Sequence, residues 1–117
     1  MSRDVRTTGL HWLLQRITAI ILGVGLLVHF FVLHFTIERP VTFDKVHVRL
    51  QQPSWVAFDI VLLACVLYHA MNGARGIVMD YAPGNTARTS LTWLVWIVGL
   101  GAFVFGVMAL VPFGNGR

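Results

Sequence analysis

Three long stretches without a single charge decide most of what this chain can become. Ile17 to Ile37 runs 21 residues with no Asp, Glu, Lys or Arg, and Leu91 to Phe113 is equally free of them. An α-helix rising about 1.5 Å per residue crosses the ~30 Å hydrocarbon core of a bilayer in about 20 residues. The remaining stretch, Ile60 to Ala74, has only 15 residues between Asp59 and Arg75. It spans if its helix runs from about Trp55 to Met79, with those two charged side chains snorkelling at the boundaries. Trp12, Trp55, Trp93 and Trp96 fall near the ends of the three segments, where an interfacial aromatic belt sits.

Composition agrees. Of 117 residues, 56% are hydrophobic and 12% charged, about half the charged fraction of an ordinary soluble domain. A chain this short leaves much of its surface outside any core, so that surface must face lipid or other apolar subunits. A soluble enzyme and a disordered tail fit poorly. The net charge of +4 is spread singly along the chain and makes no basic patch for nucleic acid. The lone Cys65 excludes an internal disulfide framework. The reading is an all-α membrane protein, one domain over 1–117, with three transmembrane helices at about 12–37, 55–80 and 89–113.

Arg3 and Arg6 precede the first hydrophobic run, but that run exceeds a signal-peptide core and no A-x-A pattern follows, so a retained first helix is expected. With the N-terminus on the cytoplasmic side, that side holds Arg3, Arg6, Arg16, Arg75 and Arg88, and the other holds Arg39, Lys45, Arg49 and Arg117. The positive-inside rule favours this orientation by one residue. Glu38 to Ser54 reads as a polar connection between Pro40 and Pro53, and Asp80 to Ser90 as a second one turning at Pro83-Gly84-Asn85.

The third span carries Gly99, Ala102, Gly106 and Ala109 on one stripe. Such stripes let helices approach closely in lipid; the alternative is room for a flat cofactor. In the second span Cys65, His69, Asn72, Gly73, Gly76 and Asp80 share a helix face. An ionisable residue in mid-membrane must be used or paired. His69 therefore either coordinates a haem iron, with glycines leaving a slot for the macrocycle, or hydrogen-bonds a neighbouring helix. Arg75, Asp80 and Tyr81 lie near the level of Gln15 and Arg16. They could hold a polar headgroup, a haem propionate or a quinone carbonyl, or simply snorkel. In the first span His29 shares a face with Thr18 and Gly25. Its level differs from that of His69 by roughly 10 Å, so the two should not share an iron. His29 either bonds within the bundle or ligates with a histidine from another subunit; His34, His11 and His47 stay unassigned.

The segment His69-Ala70-Met71-Asn72-Gly73-Ala74-Arg75-Gly76-Ile77-Val78-Met79-Asp80-Tyr81 resembles the H-x-x-x-G…D-Y stretch in the second helix of the smaller membrane anchor subunit of succinate dehydrogenase. Gln15-Arg16-Ile17-Thr18-Ala19-Ile20 is similar to the R-x-(T/S)-(A/G) opening of that family's first helix. The resemblance covers nearly the whole chain.

It implies a heteromeric anchor bundle with a second anchor subunit, docked to an iron–sulfur subunit and a flavoprotein that carry the iron–sulfur clusters and FAD. Electrons from succinate would reach a membrane quinone, in a multi-pass protein of a bacterial cytoplasmic membrane. The resemblance makes His69 an axial ligand of haem b. It makes Tyr81 a quinone-carbonyl donor with Asp80 beside it, and Arg16 a residue near quinone and propionates. His29 is surplus to the one-haem pattern and sits where two-haem members place a distal haem, so it is a candidate second iron ligand. This chain has no nucleotide loop and no cysteine set of its own. Rival readings are a cytochrome b anchor of another quinone-linked dehydrogenase such as a hydrogenase, a cofactor-free structural subunit, and a small transporter.

Overall fold

The computed structural model describes the backbone of residues 2–114 and the side chains of residues 9–111. Arg3, Arg6 and Arg117, used above in counting loop charges, lie outside the described side chains. Helix α1 covers Ser2–Phe31 and runs on through a π-helical turn at Val32–Thr36. A short helix, α2, follows at Phe43–Leu50, then α3 at Pro53–Tyr81 and α4 at Gly84–Gly114. No strand occurs among the described residues. Three helical segments, Gly9–Thr36, Pro53–Tyr81 and Gly84–Val111, are long and apolar enough to cross a membrane.

The spans fall where the charge-free stretches put them, but their ends differ. α1 starts well before residue 12, and α4 starts at Gly84 rather than near 89. The polar residues Asn85 to Ser90 are helical because leaving the hydrocarbon does not oblige a helix to stop. Only Ala82 and Pro83 separate α3 from α4. Gly84, at φ +74°, makes the reversal possible, since an L side chain is strained there. Arg88 Nε donates to the Ala82 carbonyl at 3.2 Å and satisfies an acceptor at the elbow.

The stretch read as a polar connection contains α2. Val46 and Leu50, four residues apart, share a face, and Leu50 is among the most buried of the described residues, whereas Phe43 is 71% exposed. α2 thus packs beside α3 and α4.

α3 is the centre. It packs against α1 on one side and α4 on the other, while α1 and α4 meet through the His11 and Trp96 rings, 6.3 Å apart. α1 and α3 are antiparallel, and facing pairs keep the sum of residue numbers constant to within one: Gln15 with Asn72, Thr18 with His69, Gly25 with Leu62, and His29 with Asp59. On α4 the small-residue stripe is a packing surface. A Cβ at Gly106 would meet Leu63 Cδ2 at 2.5 Å, and one at Gly99 would collide with Met71. The chain covers little of itself. In the most apolar window of each span, 11%, 11% and 6% of residues are buried in chain order, so most of the helix surface awaits lipid or other subunits.

Candidate functional site: a histidine in the α1–α3 seam

His69 lies beyond the middle of α3, half-buried against α1. Its Nδ1 is 3.2 Å from Thr18 Oγ1. The Thr18 hydroxyl has one proton, and it donates to the Leu14 carbonyl at 2.7 Å, with the Gln15 carbonyl at 3.1 Å. Carbonyls only accept. With that proton on the nearer Leu14 carbonyl, the Thr18 oxygen accepts from an Nδ1–H of the imidazole, and in that tautomer Nε2 carries the lone pair. No described group hydrogen-bonds Nε2. Thr18 is 7% exposed, so water does not compete for the bond.

A second layer fixes the backbone. Gln15 Nε2 donates to the His69 carbonyl at 3.3 Å. Asn72 Nδ2 donates to Gln15 Oε1 at 2.9 Å and to the His11 carbonyl at 3.1 Å. Asn72, on the same face as His69, is buried. Gly73 backs onto Gln15, whereas a Cβ at Gly76 would meet nothing within 4 Å. Of the two glycines expected to leave a slot beside the histidine, Gly73 is filled by Gln15, and the open Gly76 lies seven residues, ~10 Å along the helix, from His69. The donor set suits a metalloporphyrin: an imidazole whose Nδ1 faces a fixed hydroxyl oxygen and whose Nε2 has no described partner.

Residues left unassigned in the sequence complete the seam. His11 Nδ1 is 2.9 Å from the Tyr68 hydroxyl, and both rings pack near Trp96. The first-span prediction began at residue 12 and left His11 outside. The continuous α1 carries it between α3 and α4.

Arg16, Asp80 and Tyr81 are not joined to one another by any hydrogen bond or ion pair among the described residues. Arg16 lies over the Trp12 ring at 4.7 Å, Asp80 is exposed, and Tyr81 is 83% exposed. The antiparallel register sets Arg16 level with Met71, so it stands about nine residues, ~14 Å along the axis, from Asp80 and not at one level with Asp80 and Tyr81 as the sequence suggested. Arg75 lies on the α4 side of α3, in a cleft with Arg88.

At the far end, near the α1–α2 connection, the polar chemistry is ionic. Asp59 does not snorkel. Its side chain is 11% exposed and takes a two-pronged contact from Arg49 of α2, Nη1 to Oδ2 at 3.1 Å and Nη2 to Oδ1 at 3.4 Å. His29 Nδ1 stands 3.3 Å from Asp59 Oδ1, and the Arg49 guanidinium lies 4.6 Å from the Trp55 ring centre. The correction has a simple cause: α2 brings a cation to the carboxylate, so it need not reach water. His29 is eleven residues beyond Thr18, a separation of roughly 16 Å along the helix. The two histidines are thus farther apart than the helix midpoints implied. His34 contacts Arg39 and stacks on Phe30.

Three spans, each antiparallel to the next in the chain, a hydrogen-bonded seam holding a histidine, and outer faces left uncovered define a subunit that packs against other apolar surfaces in a membrane. The chain belongs to the succinate dehydrogenase/fumarate reductase transmembrane subunit family, which it matches over residues 3–109. It is 33% identical to the succinate dehydrogenase hydrophobic membrane anchor subunit of Archaeoglobus fulgidus, over 86% of this chain and 86% of that protein. The like-named subunit of Rickettsia felis is 35% identical over 80% of this chain and 79% of its own. That of Rickettsia conorii is 31% identical over 93% and 86%. The chain is accordingly a multi-pass membrane anchor subunit of this oxidoreductase family.

Proposed function

We propose that this anchor holds a haem b through His69 and contributes Arg16, Asp80 and Tyr81 to a quinone site shared with its partner subunits. The observation that carries the reading is the Thr18–His69 contact, because it leaves Nε2 as the free nitrogen. A bound haem would supply one-electron transfer between the partner iron–sulfur subunit and the quinone. Thr18 and Gln15 hold the imidazole and its backbone. Asp80 and Tyr81 are exposed at the end of α3, where the Tyr81 phenol can donate to a quinone oxygen. Arg16 is exposed nearer the histidine, ~14 Å along the axis from Asp80, where its guanidinium can stabilise charge developing on the ligand. FAD and the iron–sulfur clusters belong to the flavoprotein and iron–sulfur subunits, and a second anchor subunit covers the open faces. We place the N-terminus on the cytoplasmic side of a bacterial inner membrane, in keeping with Arg16, Arg75 and Arg88 at that end.

The test uses the assembled complex. His69→Ala is expected to abolish or shift the haem b bands of the redox difference spectrum with all subunits still present. Unchanged bands would remove His69 as ligand, and a parent complex without haem would favour a cofactor-free anchor. Succinate-dependent quinone reduction separates this reading from an anchor serving another dehydrogenase.

A second haem at His29 rests on a separate contact. A carboxylate near one ring nitrogen, here Asp59 at 3.3 Å, leaves the other nitrogen for iron. Pyridine haemochrome analysis giving two haems per complex, and one in His29→Ala, supports it. A count of one in the parent dismisses it.

A further inference from the structure

A second polar cleft lies on the other side of α3 from the histidine seam. Arg75 is six residues past His69, which turns it about 120° around the helix toward α4. Together with Arg88 it lines a cleft of about 300 Å³ between the end of α3 and the start of α4. That volume is at the lower end of the roughly 300–1,000 Å³ found for small-molecule clefts. Asn85, Thr89, Thr92 and Trp93 complete the walls that matter here.

The charges in this cleft are one-sided. No aspartate or glutamate lines it, and Arg75 has no hydrogen bond or carboxylate partner among the described residues. Arg88 spends Nε on the Ala82 carbonyl at 3.2 Å, which steadies the guanidinium and leaves both Nη groups without a described acceptor. Two half-buried guanidinium groups facing one space repel unless an anion lies between them. The first turns of α4 add the positive end of a helix dipole, and the Thr89 and Thr92 hydroxyls add donors. The far-end cluster is the contrast: Arg49 already has Asp59.

Depth narrows the class of anion. The cleft sits between two spanning helices at the level of the last turns of α3, beside Trp93, which is 67% exposed as an interfacial tryptophan is. Basic pockets between spanning helices at that level suit lipid phosphates. We propose that the Arg75–Arg88 cleft binds the phosphate of an anionic phospholipid in the leaflet at the α3–α4 elbow. The guanidinium forks take its oxygens, and Trp93 lies against the glycerol and upper acyl chain. The assignment stands whether or not His69 holds a haem.

The assembled complex, delipidated and returned to nanodiscs of phosphatidylglycerol in phosphatidylcholine, provides the test. Native mass spectrometry is expected to show phosphatidylglycerol retained in preference to phosphatidylcholine. Arg75→Gln combined with Arg88→Gln should weaken that retention at least tenfold with subunit stoichiometry intact. Arg75→Lys with Arg88→Lys keeps charge without the fork and should fall between the two. Equal retention by parent and Gln variant would overturn the proposal, as would equal retention of the two lipids. Inorganic phosphate displacing the lipid at comparable concentration would make this a free-anion site, and a cross-link from the cleft to an acidic segment of another subunit would make it a protein contact. Either result refutes a lipid site.

Discussion

The same helix pair, α1 and α3, is joined in two different ways at its two ends. Around His69 the partners are neutral: a hydroxyl, two amides and backbone carbonyls. Around His29 they are ionic, with Asp59 between an arginine and a histidine. A neutral seam satisfies every donor without placing a charge beside the histidine, and it leaves one ring nitrogen for other use. An ionic cluster instead fastens α2 to the spans, at the risk that losing one partner strands a charge in a poorly hydrated place.

That contrast predicts a ranking of effects on the stability of the purified complex, followed by chaotrope or thermal unfolding. Asp59→Ala should be the most damaging, about 3–5 kcal/mol, because Arg49 is left buried without its counter-charge. Combining it with Arg49→Met should recover part of the loss. If Asp59→Ala costs no more than an exposed substitution, the far-end cluster is not structural and the comparison fails. Asn72→Leu comes next, at about 1–3 kcal/mol, since the Gln15 Oε1 and His11 carbonyl acceptors lose their donor. A larger penalty than for Asp59→Ala would reverse the ranking.

Thr18→Val should have the smallest effect on stability, about 1 kcal/mol, yet the sharpest effect on the histidine. Losing the acceptor of Nδ1–H makes the imidazole a weaker electron donor. A haem on His69 should then stay bound with a raised midpoint potential, and Thr18→Ser should restore the parent value. A potential that does not move in a haem-loaded complex would show that Thr18 packs against His69 without orienting it.

The spans were legible because a run of uncharged residues has one physical solution at this length. His69 was legible too, because an ionisable side chain within an apolar helix needs a partner or a task. The partner itself was hidden. Thr18 sits 51 residues away, and only the antiparallel register brings it opposite His69. Asp59 looked like a boundary charge for the same reason, since its cation comes from a helix of eight residues whose polar composition masked the Val46 and Leu50 face. The axial distance between Arg16 and the Asp80–Tyr81 pair was also beyond sequence reading, because it depends on the register in which α1 and α3 pack.

The scant self-coverage of the spans bears on the life of the polypeptide before assembly. Alone in a bilayer its helices are held by little more than the α1–α3 seam and the α3–α4 contact, with 11%, 11% and 6% of the apolar windows covered, so surfaces that close around them on assembly would fix how they are rotated against one another.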